Sequence, residues 1–148
     1  MMMKNKICLV TGGSRGIGNG IVKQLSAKGY KVAFTFNEKE KLAQDLESQL
    51  NKNGGNVKSF QMSIENRESV VLTLEKIKKY FQSTVSILIN NAAISQEKPF
   101  NTITDRDWEL MLKVNLQGPF ICLQEALPDM IKNQWGRIIN ITSIGGQW

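Results

Sequence analysis

Short apolar runs alternate with helix-period stripes along the whole chain, and this alternation restricts the fold more than any other feature. Ile7–Val10 is an apolar run that Thr11-Gly12 ends. Ile17, Ile21 and Leu25 follow at helical spacing, with Lys28-Gly29 as a C-terminal stop. Tyr30–Phe36 is rich in β-branched and aromatic residues and predicts a second strand. Leu42, Leu46 and Leu50 make the next stripe, closed by Asn53-Gly54-Gly55, and Val57–Met62 predicts a third strand. Val70, Leu74, Ile77 and Phe81 predict a third helix, and Val85–Ile89 a fourth, deeply buried strand. Thr104–Asp107 reads as a further helix start. The helical pattern runs from there to about Ile131, with a kink at Gly118-Pro119, before Gly136 opens a fifth strand, Arg137–Ile141. Strictly alternating units with strands this apolar predict an α/β fold, a doubly wound parallel sheet covered by helices on both faces. No repeat, low-complexity tract or linker divides the sequence, so residues 1–148 read as one domain.

The composition excludes several function classes. There is no histidine, which removes Ser-His-Asp triads, most zinc sites and every imidazole base. Proton chemistry is left to Tyr, Lys, Asp or Glu. Cys8 and Cys122 lie far apart inside apolar segments, with neither a metal spacing nor a redox pair, which fits a reducing, cytoplasmic compartment. No apolar run approaches the length needed to span a bilayer, so no membrane partner is expected. Residues 1–80 carry 14 Lys+Arg against 7 Asp+Glu, and residues 81–148 carry 5 against 6. That imbalance is either a set of solvated helix faces or a field that favours a phosphate-bearing ligand. The lysines are scattered and not interleaved with aromatics, so nucleic acid is not expected.

Between the first strand and the first helix stands Thr11-Gly12-Gly13-Ser14-Arg15-Gly16-Ile17-Gly18. A glycine-rich loop in this place can seat a pyrophosphate. Gly12 permits the sharp turn, Gly16 lets the backbone approach the phosphates, and Gly18 lets helix and strand pack closely. The helix N-terminus then offers free N–H groups and partial positive charge, as in Rossmann-like sheets.

TGGSRGIG resembles the Thr-Gly-x-x-x-Gly-x-Gly fingerprint of the short-chain dehydrogenase/reductase family. Three further motifs in the same order are similar to that family: Asn90-Asn91-Ala92-Ala93 after the fourth strand, Val114-Asn115, and GRIINITS over residues 136–143. Within the family, the β-ketoacyl-carrier-protein reductase-like enzymes are the most similar subgroup. The resemblance implies a cytoplasmic, NADP(H)- or NAD(H)-dependent oxidoreductase that interconverts a ketone, free or carrier-bound, and a secondary alcohol. It implies cofactor contacts from Gly12, Ser14, Arg15, Gly16, Ile17, Gly18, Asn37, Ser63, Asn91 and Ala92. It also implies catalytic roles for Ser143 and Asn115, and a homo-oligomer.

An NAD-preferring site carries Asp or Glu at the end of the second strand for the ribose hydroxyl. Here Phe34, Thr35, Phe36 and Asn37 fill that stretch, while Arg15 and Lys39 stand near enough in sequence to meet a 2′-phosphate, so NADP(H) is favoured over NAD(H). Two positions depart from the family pattern. Ser63 replaces the Asp that contacts adenine, and Ala93 replaces a glycine.

The resemblance also implies a Tyr-x-x-x-Lys pair about thirteen residues past the serine, beyond Trp148. The only tyrosines, Tyr30 and Tyr80, lack the lysine four places on and read as packing residues. The chain is therefore expected to be part of a longer polypeptide, or to have a partner over the edge of the fifth strand. A non-catalytic nucleotide- or partner-binding protein is the alternative. Leu116, Phe120, Leu123 and Leu127 form a stripe that serves either the sheet or a second subunit.

Overall fold

The computed structural model describes residues 5–143. Five strands alternate with helices: β1 (Ile7–Val10), α1 (Gly16–Ala27), β2 (Lys31–Phe36), α2 (Glu40–Lys52), β3 (Asn56–Gln61), α3 (Arg67–Phe81) and β4 (Val85–Asn90). A 3-10 turn at Phe100–Thr102 leads into α4 (Asp105–Leu112), a π turn (Lys113–Gln117), α5 (Gly118–Lys132) and β5 (Arg137–Asn140). All strand pairs are parallel and the order is β3-β2-β1-β4-β5. The winding direction reverses between β1 and β4, and the crevice beyond the carboxyl ends of those two strands is where open sheets of this class take ligands. The predicted doubly wound architecture is the one observed.

Alternation along β1 builds two cores, one on each face of the sheet. Ile7 and Leu9 join Leu88, Val70, Ile77, Ile121 and Met130 on the α3–α5 side. Cys8 and Val10 join Val22, Val32, Phe34, Leu46 and Ile89 on the α1–α2 side. Cys8 and Cys122 thus sit in different cores, and burial pushes each thiol up to about 12, so both behave as small apolar groups. No helix among the described residues is long and apolar enough to cross a membrane.

Two helices lie on the sheet differently from their sequence stripes. In α1 the buried residues are Gly18, Val22 and Ser26, while Ile17 is 67% exposed and Ile21 and Leu25 pack only in part. The close approach of Gly18 to the loop sets the rotation, as described below. In α2, Ala43 and Leu46 are buried and Leu42 is exposed. The α4–α5 stripe is divided. Leu116 is 68% and Phe120 55% exposed, whereas Leu123 packs in part against the core beside the buried Ile121, Cys122, Ala126 and Met130.

The start of α4 is as predicted. Thr104 and Asp107 form a reciprocal capping box. The predicted kink at Gly118-Pro119 takes the form of the π turn just before it. Pro119 has no N–H to give the carbonyl of Asn115 four residues back, and its ring crowds that carbonyl, so the helix widens over Lys113–Gln117.

Candidate functional site

The crevice is built where three chain segments are locked together at the carboxyl ends of β1 and β4. Thr11, fully buried, extends β1 with its N–H donating to the Ile89 carbonyl at 3.0 Å. Its Oγ1 accepts from the backbone N–H groups of Asn91 and Ala92, each at 3.0 Å. Asn91 returns the contact, since its Nδ2 donates to the carbonyls of Thr11 (2.9 Å) and Gly12 (3.1 Å). Thr35 on β2 ties down the other flank. The Gly12 N–H donates to its Oγ1 at 3.3 Å and the Gly13 N–H to its carbonyl at 2.9 Å.

Glycine is required here for three different reasons. Gly12, at φ +67°, occupies the left-handed region, and a Cβ on it would stand 3.0 Å from Ala92 Cα. Gly13 packs against β2, where a Cβ would fall 2.6 Å from that of Phe34. A Cβ on Gly18 would fall 2.3 Å from the Gly12 carbonyl oxygen. The loop is therefore pressed between α1, β2 and the Asn91-Ala92 segment.

Its tip, by contrast, is open. Arg15, Gly16 and Ile17 are exposed and Ser14 is half-buried. Arg15 occupies the N-cap position of α1 and makes no side-chain cap, and the first turn has no acidic residue. The N-termini of α3 and α4 are closed by Asn66 and Thr104 respectively. The first N–H groups of α1 are thus left for an acceptor from outside the helix.

Asn37 and Ser63, at the ends of β2 and β3, come together. Ser63 Oγ donates to Asn37 Oδ1 at 3.3 Å, Gln61 Nε2 donates to the Asn37 carbonyl at 3.0 Å, and the Ser63 N–H donates to Ser69 Oγ at 3.0 Å. No carboxylate takes part in this cluster. On the other flank, Asn115 in the π turn grips the peptide of Ile94 with both ends of its amide. Oδ1 accepts from the Ile94 N–H and Nδ2 donates to the Ile94 carbonyl, each at 2.9 Å. A second tie lies four residues on, where Lys98 Nζ donates to both oxygens of Asp107 at 2.8 and 2.7 Å. That ammonium, with the Thr104 backbone and hydroxyl donors, holds the Asp107 carboxyl well below the usual carboxylate range. Ser143 stands three residues past Asn140, the register partner of Asn90, and is exposed. The two asparagines are joined, Asn90 Nδ2 donating to Asn140 Oδ1 at 2.9 Å. The sequence reading gave no role to Thr11, Thr35 or Asn140. The signal for Thr11 was a lone hydroxyl at the end of an otherwise apolar strand.

The model of the short chain dehydrogenase family matches residues 6–148. The chain belongs to this family. It is 38% identical over 144 residues to the 3-oxoacyl-[acyl-carrier-protein] reductase FabG of Aquifex aeolicus, covering 97% of this chain and 58% of that protein. The FabG of Staphylococcus epidermidis strain RP62A is 33% identical over 142 residues, with 96% and 58% covered. The chain thus spans a little under three-fifths of the length of these short-chain dehydrogenase relatives. Among solved structures, a metagenomic short-chain oxidoreductase in complex with NADP superposes with a TM-score of 0.89 at 28% identity, covering 99% of this chain and 66% of that one. A blue fluorescent protein from a metagenomic library, in complex with NADPH, gives 0.86 at 33% identity, with 96% and 57% covered.

Proposed function

We propose that residues 1–148 form a single dinucleotide-binding domain of an oxidoreductase that interconverts a ketone and a secondary alcohol with NADP(H). The observation that carries this reading is the uncapped α1 N-terminus, which opens onto the switch-point crevice beside the loop that Thr11 and Asn91 lock. Gly12, Ser14, Gly16, Ile17 and Gly18 would shape the diphosphate seat, with N–H groups of the first turn as donors. Asn91 and Ala92 would line the same cleft, and Asn37 and Ser63 would face the adenosine end. The bound dinucleotide supplies or accepts a hydride. The chain's own part is to orient it, with Ser143 donating a hydrogen bond to the substrate carbonyl oxygen and Asn115 holding the Ile94 carbonyl in place as an acceptor for water. The names of the relatives favour a 3-oxoacyl thioester on a carrier protein as the ketone.

The adenosine end supports NADP(H). Asn37 and Ser63 are neutral there, Glu38 follows as an exposed carboxylate, and Arg15 and Lys39 are exposed cations that could meet a 2′-phosphate. In calorimetric titrations of the folded chain, NADPH is expected to bind more tightly than NADH. Arg15→Ala should weaken NADPH about tenfold with little change for NADH, the loss expected of one charge-assisted contact. Absence of heat with both nucleotides would remove the proposal.

A second reading is a chain that binds the nucleotide without turnover. Tyr30 sits just before β2, at the end of the sheet opposite the crevice, and Tyr80 packs against Phe60 and Phe81 on α3. Neither tyrosine is placed to protonate a substrate. Binding of NADPH with no oxidation across a ketone panel would decide for this reading.

The exposed Leu112, Leu116 and Phe120 line an apolar groove of about 500 Å³ along α4, the π turn and α5. We assign this face to contact with a second copy. Phe120→Asp should lower the solution mass by one association step in sedimentation while leaving the circular dichroism unchanged. An unaltered mass would refute the assignment.

A further inference from the structure

β3 is the outer strand on the α2 side of the sheet, and the outward N–H and C=O groups of such a strand are a template for another strand. In this protein side chains already occupy them. Asn51, in the last turn of α2, directs both ends of its amide at Val57. Oδ1 accepts from the Val57 N–H and Nδ2 donates to the Val57 carbonyl, each at 2.9 Å. A neighbouring strand would offer Val57 the same pair of bonds. One turn back on the same helix face, Glu47 Oε2 accepts from the Ser59 N–H at 2.8 Å and from the Ser59 hydroxyl at 2.6 Å.

The spacing makes this possible. Four residues of helix rise about 6 Å and two residues of strand about 6.6 Å, so side chains at i and i+4 of α2 meet successive outward residues of β3. Lys58 completes the closure. Its side chain leaves the opposite face of the sheet, where Nζ lies 5.8 Å from the Tyr80 ring, and crosses the strand edge to Glu47 Oε1 at 2.7 Å. Farther along, Thr73 Oγ1 of α3 donates to the Gln61 carbonyl at 3.4 Å. Burial works against ionising Glu47, but the donors from Lys58 and Ser59 outweigh it and hold the carboxyl below the ordinary glutamate range. At neutral pH it is a full-time acceptor.

We infer that Glu47 and Asn51 serve as a side-chain substitute for a further strand, closing the β3 edge against pairing with the β3 of a second copy of this chain. Two identical edges can pair antiparallel about a two-fold axis, so an open β3 is self-complementary. The closure lies on the opposite side of the sheet from the α4–α5 face and acts independently of the nucleotide site.

Native-state hydrogen exchange and solution mass test this together. In the wild-type chain the Val57 and Ser59 amides should exchange at least 100-fold more slowly than unstructured amides, although they point away from β2. The folded Glu47→Ala/Asn51→Ala variant should lose that protection at low concentration and show about twice the wild-type mass at high concentration. Adding Ser59→Pro, which deletes the outward N–H, should restore the wild-type mass. Three results would overturn the inference: unprotected Val57 and Ser59 amides in the wild type, a folded double variant that keeps the wild-type mass, or extra association that survives Ser59→Pro. The wild-type exchange rates decide the matter even where the double variant fails to fold.

Discussion

Replacing Thr11 with valine should lower the stability of the chain by about 2–4 kcal/mol. The change is close to isosteric and keeps a β-branched side chain, so neither volume nor strand preference is lost. What disappears is one acceptor serving two backbone donors, the N–H groups of Asn91 and Ala92. Thr11 itself is fully buried, and the hydroxyl would be replaced by a methyl group that accepts from neither donor. An unsatisfied donor costs about 1–3 kcal/mol. The lower part of the summed range applies because Asn91 and Ala92 are half-buried and can tilt toward solvent. Urea denaturation should show a lower midpoint with an unchanged slope, since the surface exposed on unfolding is the same. Thr11→Ser retains the oxygen and should recover most of the loss. The displaced Asn91-Ala92 segment should also weaken NADPH binding, because it would line the cleft. A Thr11→Val chain within about 0.5 kcal/mol of wild type, the spread of neutral substitutions, would show that this hydroxyl does not hold the segment.

The architecture was legible because a parallel sheet is buried on both faces, which forces its strands to read as continuous apolar runs between helix stripes. The loop was legible because its glycines recur at a fixed spacing between an apolar strand and a helix stripe, although the contacts that require them come from distant segments. Helix orientation was not. Large apolar residues at i and i+4 mark a face, but α1 meets the sheet through Gly18, Val22 and Ser26, small residues that carry no periodic signal. The α4–α5 segment is apolar on two sides, and spacing alone does not say which side the sheet takes. Contacts across long sequence separations were equally hidden. Thr11 to Ala92 spans 81 residues and Asn115 to Ile94 spans 21, and both depend on the sheet order bringing distant loops together. The family fingerprint named Asn115 without the geometry, whereas the structure shows what its amide holds.

The second large effect is expected at Gly18. A Cβ there would lie 2.3 Å from the Gly12 carbonyl oxygen and 2.5 Å from Asn91 Nδ2, both far inside contact distance. Neither neighbour can yield cheaply. The Gly12 oxygen accepts from Asn91 Nδ2 at 3.1 Å, and the same amide holds the Thr11 carbonyl at 2.9 Å. Gly18→Ala must therefore lift the first turn of α1 from the sheet or break the lock between the two loops. Overpacking of this kind costs about 1–3 kcal/mol. A first turn displaced by even a fraction of an ångström would no longer aim its N–H groups at the proposed diphosphate position, so NADPH affinity should fall more than tenfold. Two neighbouring glycines separate this steric effect from the general consequences of adding a methyl group. Gly20 lies in the same helix with open space around its Cβ position, and Gly20→Ala should stabilise by about 0.5–1 kcal/mol through helix propensity. Gly16 also has open space but sits at φ +56°, so Gly16→Ala should cost about 1–2 kcal/mol from backbone strain alone. Thermal denaturation of the three variants should rank them Gly20→Ala, Gly16→Ala, Gly18→Ala, from most to least stable. Gly18→Ala tolerated as well as Gly20→Ala would mean that α1 does not press on the loop, and the geometry proposed to receive the diphosphate would be lost with it.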